Sequence, residues 1–123
     1  MASFDALDGQ QFINLTTFRK SGEQVVTPVW FARAGDVLYV TTPRGTGKVK
    51  RIGNNPAVLV GPADRSGKAL GQTIAASARV LPEIEWANGE ALLTKKYGLM
   101  KQLITFVSRL RGGTNVVLAI VPA

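Results

Sequence analysis

From residue 11 the chain alternates with the two-residue period of a half-buried strand. Phe12, Asn14, Thr16 and Phe18 fall on one face, and Ile13, Leu15 and Thr17 on the other. The turn signal Lys20-Ser21-Gly22-Glu23 separates this run from a second β segment over residues 24–33, which predicts a hairpin. Pro28, inside the second run, has no N–H to give to a ladder, so that strand is expected at a sheet edge or a bulge. Ala34-Gly35-Asp36 turns the chain into a third strand over 37–42. Residues 57–62 form a short, wholly apolar strand. After the turn Asp64-Arg65-Ser66-Gly67 comes a longer strand over 69–81, and residues 115–121 form an apolar strand able to close the sheet.

Helical periodicity interrupts these strands. Residues 4–9 predict a short helical turn ended by glycine. Residues 46–55 predict a short helix capped by Thr46 or Gly45, with Val49 and Ile52 as its apolar edge and Asn54-Asn55-Pro56 as its stop. Residues 82–97 carry acids early and lysines late, as the helix dipole favours. Gly98 breaks that helix. Residues 99–111 continue with Leu99, Leu103, Val107 and Leu110 on one stripe, ended by Gly112-Gly113. The fold class expected is α+β: one β-rich domain over residues 1–123, a small antiparallel barrel or sandwich with two or three short helices.

Composition narrows the chemistry. The chain contains neither histidine nor cysteine. This removes Ser-His and Cys-His nucleophiles, zinc, haem and iron–sulfur sites built from side-chain nitrogen or sulfur, and disulfides. Its eight carboxylates are scattered, and Glu83 and Glu85 diverge on a helix, so a glycosidase pair has little support. An enzyme built from these residues relies on a bound organic cofactor. No apolar run reaches the roughly 18 residues of a membrane span. Residues 1–5 lack the basic and apolar regions of a signal peptide, so a cytoplasmic location is expected.

Net charge is +7, and one stretch concentrates it. Thr41 and Thr42 end the third strand, and Arg44, Lys48, Lys50 and Arg51 follow around Gly45 and Gly47. No carboxylate occurs between Asp36 and Asp64. Hydroxyls, free backbone N–H groups at a helix start and fixed positive charge together make an anion cradle. Gly45-Thr46-Gly47-Lys48 is not a nucleotide P-loop, because the glycine spacing is too short and Val49 stands where a Ser or Thr is needed. Arg19 and Lys20, at the hairpin turn, read as solvated charge.

The ordered segments 14–23, 27–31, 38–42, 47–52, 54–58, 78–81, 95–98 and 116–120 together resemble the split-barrel flavin and deazaflavin oxidoreductases related to pyridoxamine 5′-phosphate oxidase. The match is best to the branch of coenzyme F420-dependent enzymes. The resemblance covers nearly the whole chain. It implies a mainly antiparallel split β-barrel and a homodimer with the cofactor site between subunits. It implies that Thr41, Thr42, Lys48, Lys50 and Arg51 hold the cofactor phosphate while Thr27, Pro28, Val29 and Trp30 run along the ring. Where many members carry a bulkier or more polar segment, this chain has Ile74-Ala75-Ala76-Ser77.

The chemistry so implied is hydride transfer between F420 and a small conjugated organic acceptor, which asks little of side chains beyond holding two planes together. FMN is the alternative cofactor, since the cradle accepts either phosphate. Two further readings remain at this point: a non-catalytic flavin- or tetrapyrrole-binding protein, and a single-stranded nucleic-acid-binding barrel. The second is disfavoured by an aromatic content of 7%, with most rings in apolar contexts.

Overall fold

The computed structural model describes residues 4–43, 45–85, 91–92, 95–96 and 115–123. Seven strands appear in chain order: β1 Phe12–Phe18, β2 Gln24–Trp30, β3 Ala32–Ala34, β4 Val37–Pro43, β5 Ala57–Ala63, β6 Ile74–Val80 and β7 Asn115–Pro122. One α-helix, α1 (Gly47–Asn54), lies between β4 and β5, and short 3-10 turns occur at Asp5–Leu7 and Glu83–Glu85. The helix predicted over 82–97 begins with that second turn and is helical at 91–92 and 95–96; its remainder, and the helix predicted over 99–111, lie outside the described residues.

All seven strands belong to one antiparallel sheet in the order β2-β1-β5-β6-β7-β4-β3. The two edge strands are consecutive in the chain and only Phe31 separates them. The sheet must therefore curl until its edges meet, and since β2 pairs with β1 while β3 pairs with β4, the result is a barrel left open along one seam. Phe31 fills the seam from inside, at 1% exposure.

The expected hairpin is present, with Phe12 opposite Trp30 and Phe18 opposite Gln24. Pro28 lies on the edge strand, where its missing donor costs no ladder bond on the open side. Two expected strands are broken. The run over 24–33 divides at Phe31 because the chain there passes from one sheet edge to the other. The run over 69–81 shortens to β6: the β5–β6 register would set Ala63 opposite Gly71, yet Ala63 bridges Ala69 instead. Pro62 supplies no N–H to continue the ladder, and a Cβ on Gly71 would approach its Cγ to 2.9 Å.

Period-two alternation sends Ile13, Leu15, Leu38, Val40, Val58, Val60, Ala76, Ala78, Val116, Leu118 and Ile120 into one interior cluster. Phe4 and Leu7, from the first 3-10 turn, join this cluster fully buried. Arg33 ties that turn to the β3–β4 hairpin: its Nη2 donates to Asp5 Oδ1 at 2.7 Å, its Nη1 to Asp8 Oδ1 at 2.9 Å and its Nε to the Gly35 carbonyl at 2.7 Å. The outer face is apolar too. Val117, Ala119 and Leu81 form a second cluster with Tyr39 and Val37, while Val26, Ala57, Ala75 and Val121 are exposed on neighbouring strands.

Candidate anion-binding site

Helix α1 follows β4 directly and packs on the barrel through Val49 and Ile52. On a 3.6-residue period the opposite face carries Gly47, Lys50, Arg51 and Asn54. These residues, with Asn55, form one wall of a cleft of about 810 Å³; the other wall is the end of β1 and its turn, Phe18, Arg19, Lys20 and Ser21. Gly22, in the left-handed region at φ 89°, closes that turn with its N–H donating to the Arg19 carbonyl at 2.8 Å. Four cations and no carboxylate line the cleft.

Arg51 is held in place by its neighbours. Its Nε donates to the buried Thr17 hydroxyl at 2.6 Å, and it makes no ion pair among the described residues. Its guanidinium lies against Gly47, where a Cβ would come within 2.6 Å of Nη1. Only the far end of a flexible side chain opposes an alanine there. Gly47→Ala is therefore expected to leave the melting temperature nearly unchanged, since Gly47 is the first residue of α1 and lies outside the helix interior where alanine is favoured. It is expected at the same time to weaken phosphomonoester binding by moving the guanidinium. Thermal melts beside ligand titrations test this pair of outcomes.

Lys48 lies off this face, toward the packed side of the helix, and is half-buried. Burial lowers its ammonium below the ordinary value of 10.5, and repulsion from Arg51 adds to the effect. Thr46 caps α1 through its backbone without a side-chain cap bond. The buried hydroxyl oxygens of Thr46 and Thr42 find no hydrogen-bond partner among the described residues, although Thr42 is only 2% exposed. A helix normally gathers acids at its start; α1 has none in its first turn and instead carries Lys48 and Lys50, with Arg51 in its last turn.

The sequence-predicted residues thus divide into groups. Lys50 and Arg51 line the cleft, while Lys48 and Thr42 sit beside it at the start of α1 and the end of β4, with half-buried Thr41 next to Thr42. Arg44 lies outside the described residues. Thr27, Pro28, Val29 and Trp30 occupy the edge strand and contribute nothing to the cleft lining. Val29 belongs to the core, so a ligand can meet it only through its backbone. Pro28 packs against the loop at Gly67, and Trp30 lies beside Phe12 with ring centroids 6.3 Å apart. Sequence reasoning set Arg19 and Lys20 aside as turn charges, and missed Ser21, Asn54, Asn55 and the role of Thr17. The 47, 50, 51, 54 spacing was the available signal for the helix wall. Nothing local tells which loop faces it.

No helix of the described residues is long and apolar enough to cross a membrane. No protein-family model and no curated protein matches the chain. The likeness lies in three dimensions. The heme storage protein HutZ from Vibrio cholerae superposes with a TM-score of 0.71 at 17% identity, over 94% of this chain and 83% of that one. An F420 reductase gives 0.62 at 20% identity, over 100% and 94%. A Listeria innocua protein provisionally named pyridoxamine 5′-phosphate oxidase gives 0.60 at 19% identity, over 95% and 87%. Identities this low establish architecture and leave the ligand to the site's own chemistry. In its curled antiparallel sheet, its seam and its helix after β4, the chain has the split β-barrel fold of the pyridoxamine 5′-phosphate oxidase-like proteins.

Proposed function

We propose that this protein is an F420-dependent oxidoreductase that moves a hydride between the reduced deazaflavin and a small conjugated organic acceptor. The observation that carries the reading is the start of α1, where Lys48 and Lys50 stand at the positive end of a helix with no acid to offset them and Arg51 follows in the last turn. A phosphate group fits what is found there. The hydroxyls of Thr42 and Thr46, unpartnered among the described residues, need hydrogen-bond partners, the first-turn N–H groups of α1 can serve a bound anion, and Lys48, Lys50 and Arg51 supply charge. Thr41 and Thr42 complete the cradle.

In this reading Thr27, Pro28, Val29 and Trp30 lie along the ring. Period-two geometry supports it, because Phe12 beside Trp30 and Phe18 in the cleft share the outer face of β1. Phosphate and ring can therefore occupy one continuous surface. When bound, the deazaflavin supplies the hydride chemistry. The chain's residues bind its phosphate, orient its ring and exclude water, tasks that need neither histidine nor cysteine. FMN is the competing cofactor, and the +7 charge favours the more anionic deazaflavin tail. The reading includes a cytoplasmic homodimer joined through the outer sheet face, where Val26, Ala57, Ala75 and Val121 are exposed. Monomeric behaviour at micromolar concentration would count against that interface.

The deciding experiment titrates F420 and FMN side by side into wild type and Lys48→Ala. Weaker binding by the variant, with F420 preferred over FMN, supports the reading; equal affinity in both proteins sinks the cradle. The pH dependence follows from the same lysine. The protonated ammonium binds phosphate, so affinity should be full at neutral pH. It should fall as pH rises through the lowered pKa, earlier than the 10.5 of an exposed lysine. Lys48→Arg, which keeps its proton, should remove that alkaline fall.

A further inference from the structure

The α1 cleft holds more chemistry than a phosphate group uses. Its volume of about 810 Å³ lies within the roughly 300–1,000 Å³ of small-molecule sites. Of its four cations the cradle takes Lys50 and Arg51, while Arg19 and Lys20 stand on the opposite wall. Phe18, Asn54 and Asn55 line it as well and bring no charge.

These groups stand in a definite order. Along the face of α1, Gly47, then Lys50 and Arg51, then Asn54 follow one another over about 10 Å, at 1.5 Å per residue. One end of that wall offers backbone N–H groups, the middle positive charge and the far end carboxamides. Asn55 is fixed there: its N–H donates to the Arg51 carbonyl at 2.8 Å, and its Oδ1 accepts from Ala57 N at 3.1 Å, so Nδ2 is what it can offer a ligand. The facing wall is equally set. Arg19 N–H donates to the Glu23 carbonyl at 2.9 Å, and Ser21 Oγ accepts from Glu23 N at 3.4 Å. Arg19 Nε comes only to 4.0 Å from the Glu23 carboxylate, an exposed pair that binds the arginine weakly. Lys20 makes no ion pair among the described residues.

A nucleotide carries matching chemistry in the same order. Its polyphosphate brings enough charge and length to meet cations on both walls. An aromatic ring stacks a base, and an asparagine carboxamide meets the N6 and N7 edge of adenine with one acceptor and one donor. We infer that the α1 cleft takes an adenosine 5′-polyphosphate, its phosphates between Lys50–Arg51 and Arg19–Lys20 and its adenine between Phe18 and Asn54, and that this nucleotide regulates the protein by excluding the cofactor phosphate. The exclusion rests on the cofactor reading above; the nucleotide site does not.

Calorimetric titration of ADP, UDP and inorganic pyrophosphate into the wild-type chain tests the site without the cofactor. ADP should bind saturably, at least tenfold more tightly than pyrophosphate and threefold more tightly than UDP. Phe18→Leu should bring ADP down to the affinity of pyrophosphate and leave pyrophosphate itself unchanged. Asn54→Ala, at an exposed position that the core does not need, should erase the preference over UDP. Pyrophosphate binding as tightly as ADP would reduce the cleft to a general anion site and overturn the proposal. An Asn54→Ala protein that still prefers ADP would overturn it too. Saturating ADP should weaken F420 binding at least tenfold, and simultaneous binding of the two would overturn the regulatory role. So would FAD binding tenfold more tightly than ADP, because the adenine position would then belong to a dinucleotide cofactor. A protein that binds ADP as described but neither F420 nor FMN fails the cofactor reading alone. One that binds F420 and not ADP fails the nucleotide site alone.

Discussion

Arg51→Ala is expected to weaken binding of F420 and of FMN by roughly ten- to hundredfold, more than loss of any other single cation at the α1 cleft. A hydrogen bond to a charged group is worth about 1.5–3 kcal/mol, and each 1.4 kcal/mol is a factor of ten in affinity. Arg51 combines three properties that its neighbours do not share. It lines the cleft, its Nε is already fixed on Thr17 at 2.6 Å, and its planar guanidinium can meet a phosphate with two donors. Lys50 is exposed, and Lys48 lies on the packed side of the helix. Thr17→Val serves as the companion variant, because it removes the bond to Nε and leaves the charge. An intermediate loss from Thr17→Val, measured by the same titration, would show that positioning matters as well as charge. An Arg51→Ala protein that binds both cofactors like wild type would exclude the cleft as the phosphate site.

The largest effect on stability is expected at Phe31. Phe31→Ala should destabilise the fold by about 3–5 kcal/mol, the range for emptying a buried phenylalanine site. For a chain of this length the melting temperature should then fall by more than about 10 °C. Phe31 is 1% exposed and stands at the one place where the sheet's two edges meet. Its ring also carries the Lys96 ammonium 3.4 Å from its centroid, and burial there pushes that group down to about 8. The cavity would open along the seam, where the barrel has no ladder bonds to hold it closed. Phe31→Leu should recover most of the loss, since it refills the volume. A Phe31→Ala protein melting within about 2 °C of wild type would show that the seam is held by other contacts.

Much of this architecture was legible in the residues themselves. The alternation from Phe12 to Phe18, the turn with Gly22 and the proline on the next run specify an edge hairpin, because side-chain period and a missing N–H act within a few residues. The helix between Thr46 and Asn55 was legible for the same reason. The seam was not. Residues 24–33 read as one strand, since the apolar pattern continues through Phe31, and only the return of β4 and β3 to the far sheet edge divides them. The shortened β6 likewise depends on Pro62, a residue of the opposite strand.

By itself the sequence determined the edge hairpin and helix α1, the absence of histidine and cysteine chemistry, and the concentration of positive charge between Thr41 and Arg51. Each is local or compositional. The tertiary structure alone decided which charges act together. Closing the sheet set the 19–21 turn across from α1, so that Arg19 and Lys20, which read locally as solvated charge, line the cleft. It also turned Lys48 toward the packed side while Lys50 and Arg51 line the cleft. The physical reason is that electrostatic potential and desolvation depend on distance through space, and residues 30 positions apart along a strand–helix connection have no spacing rule that fixes that distance.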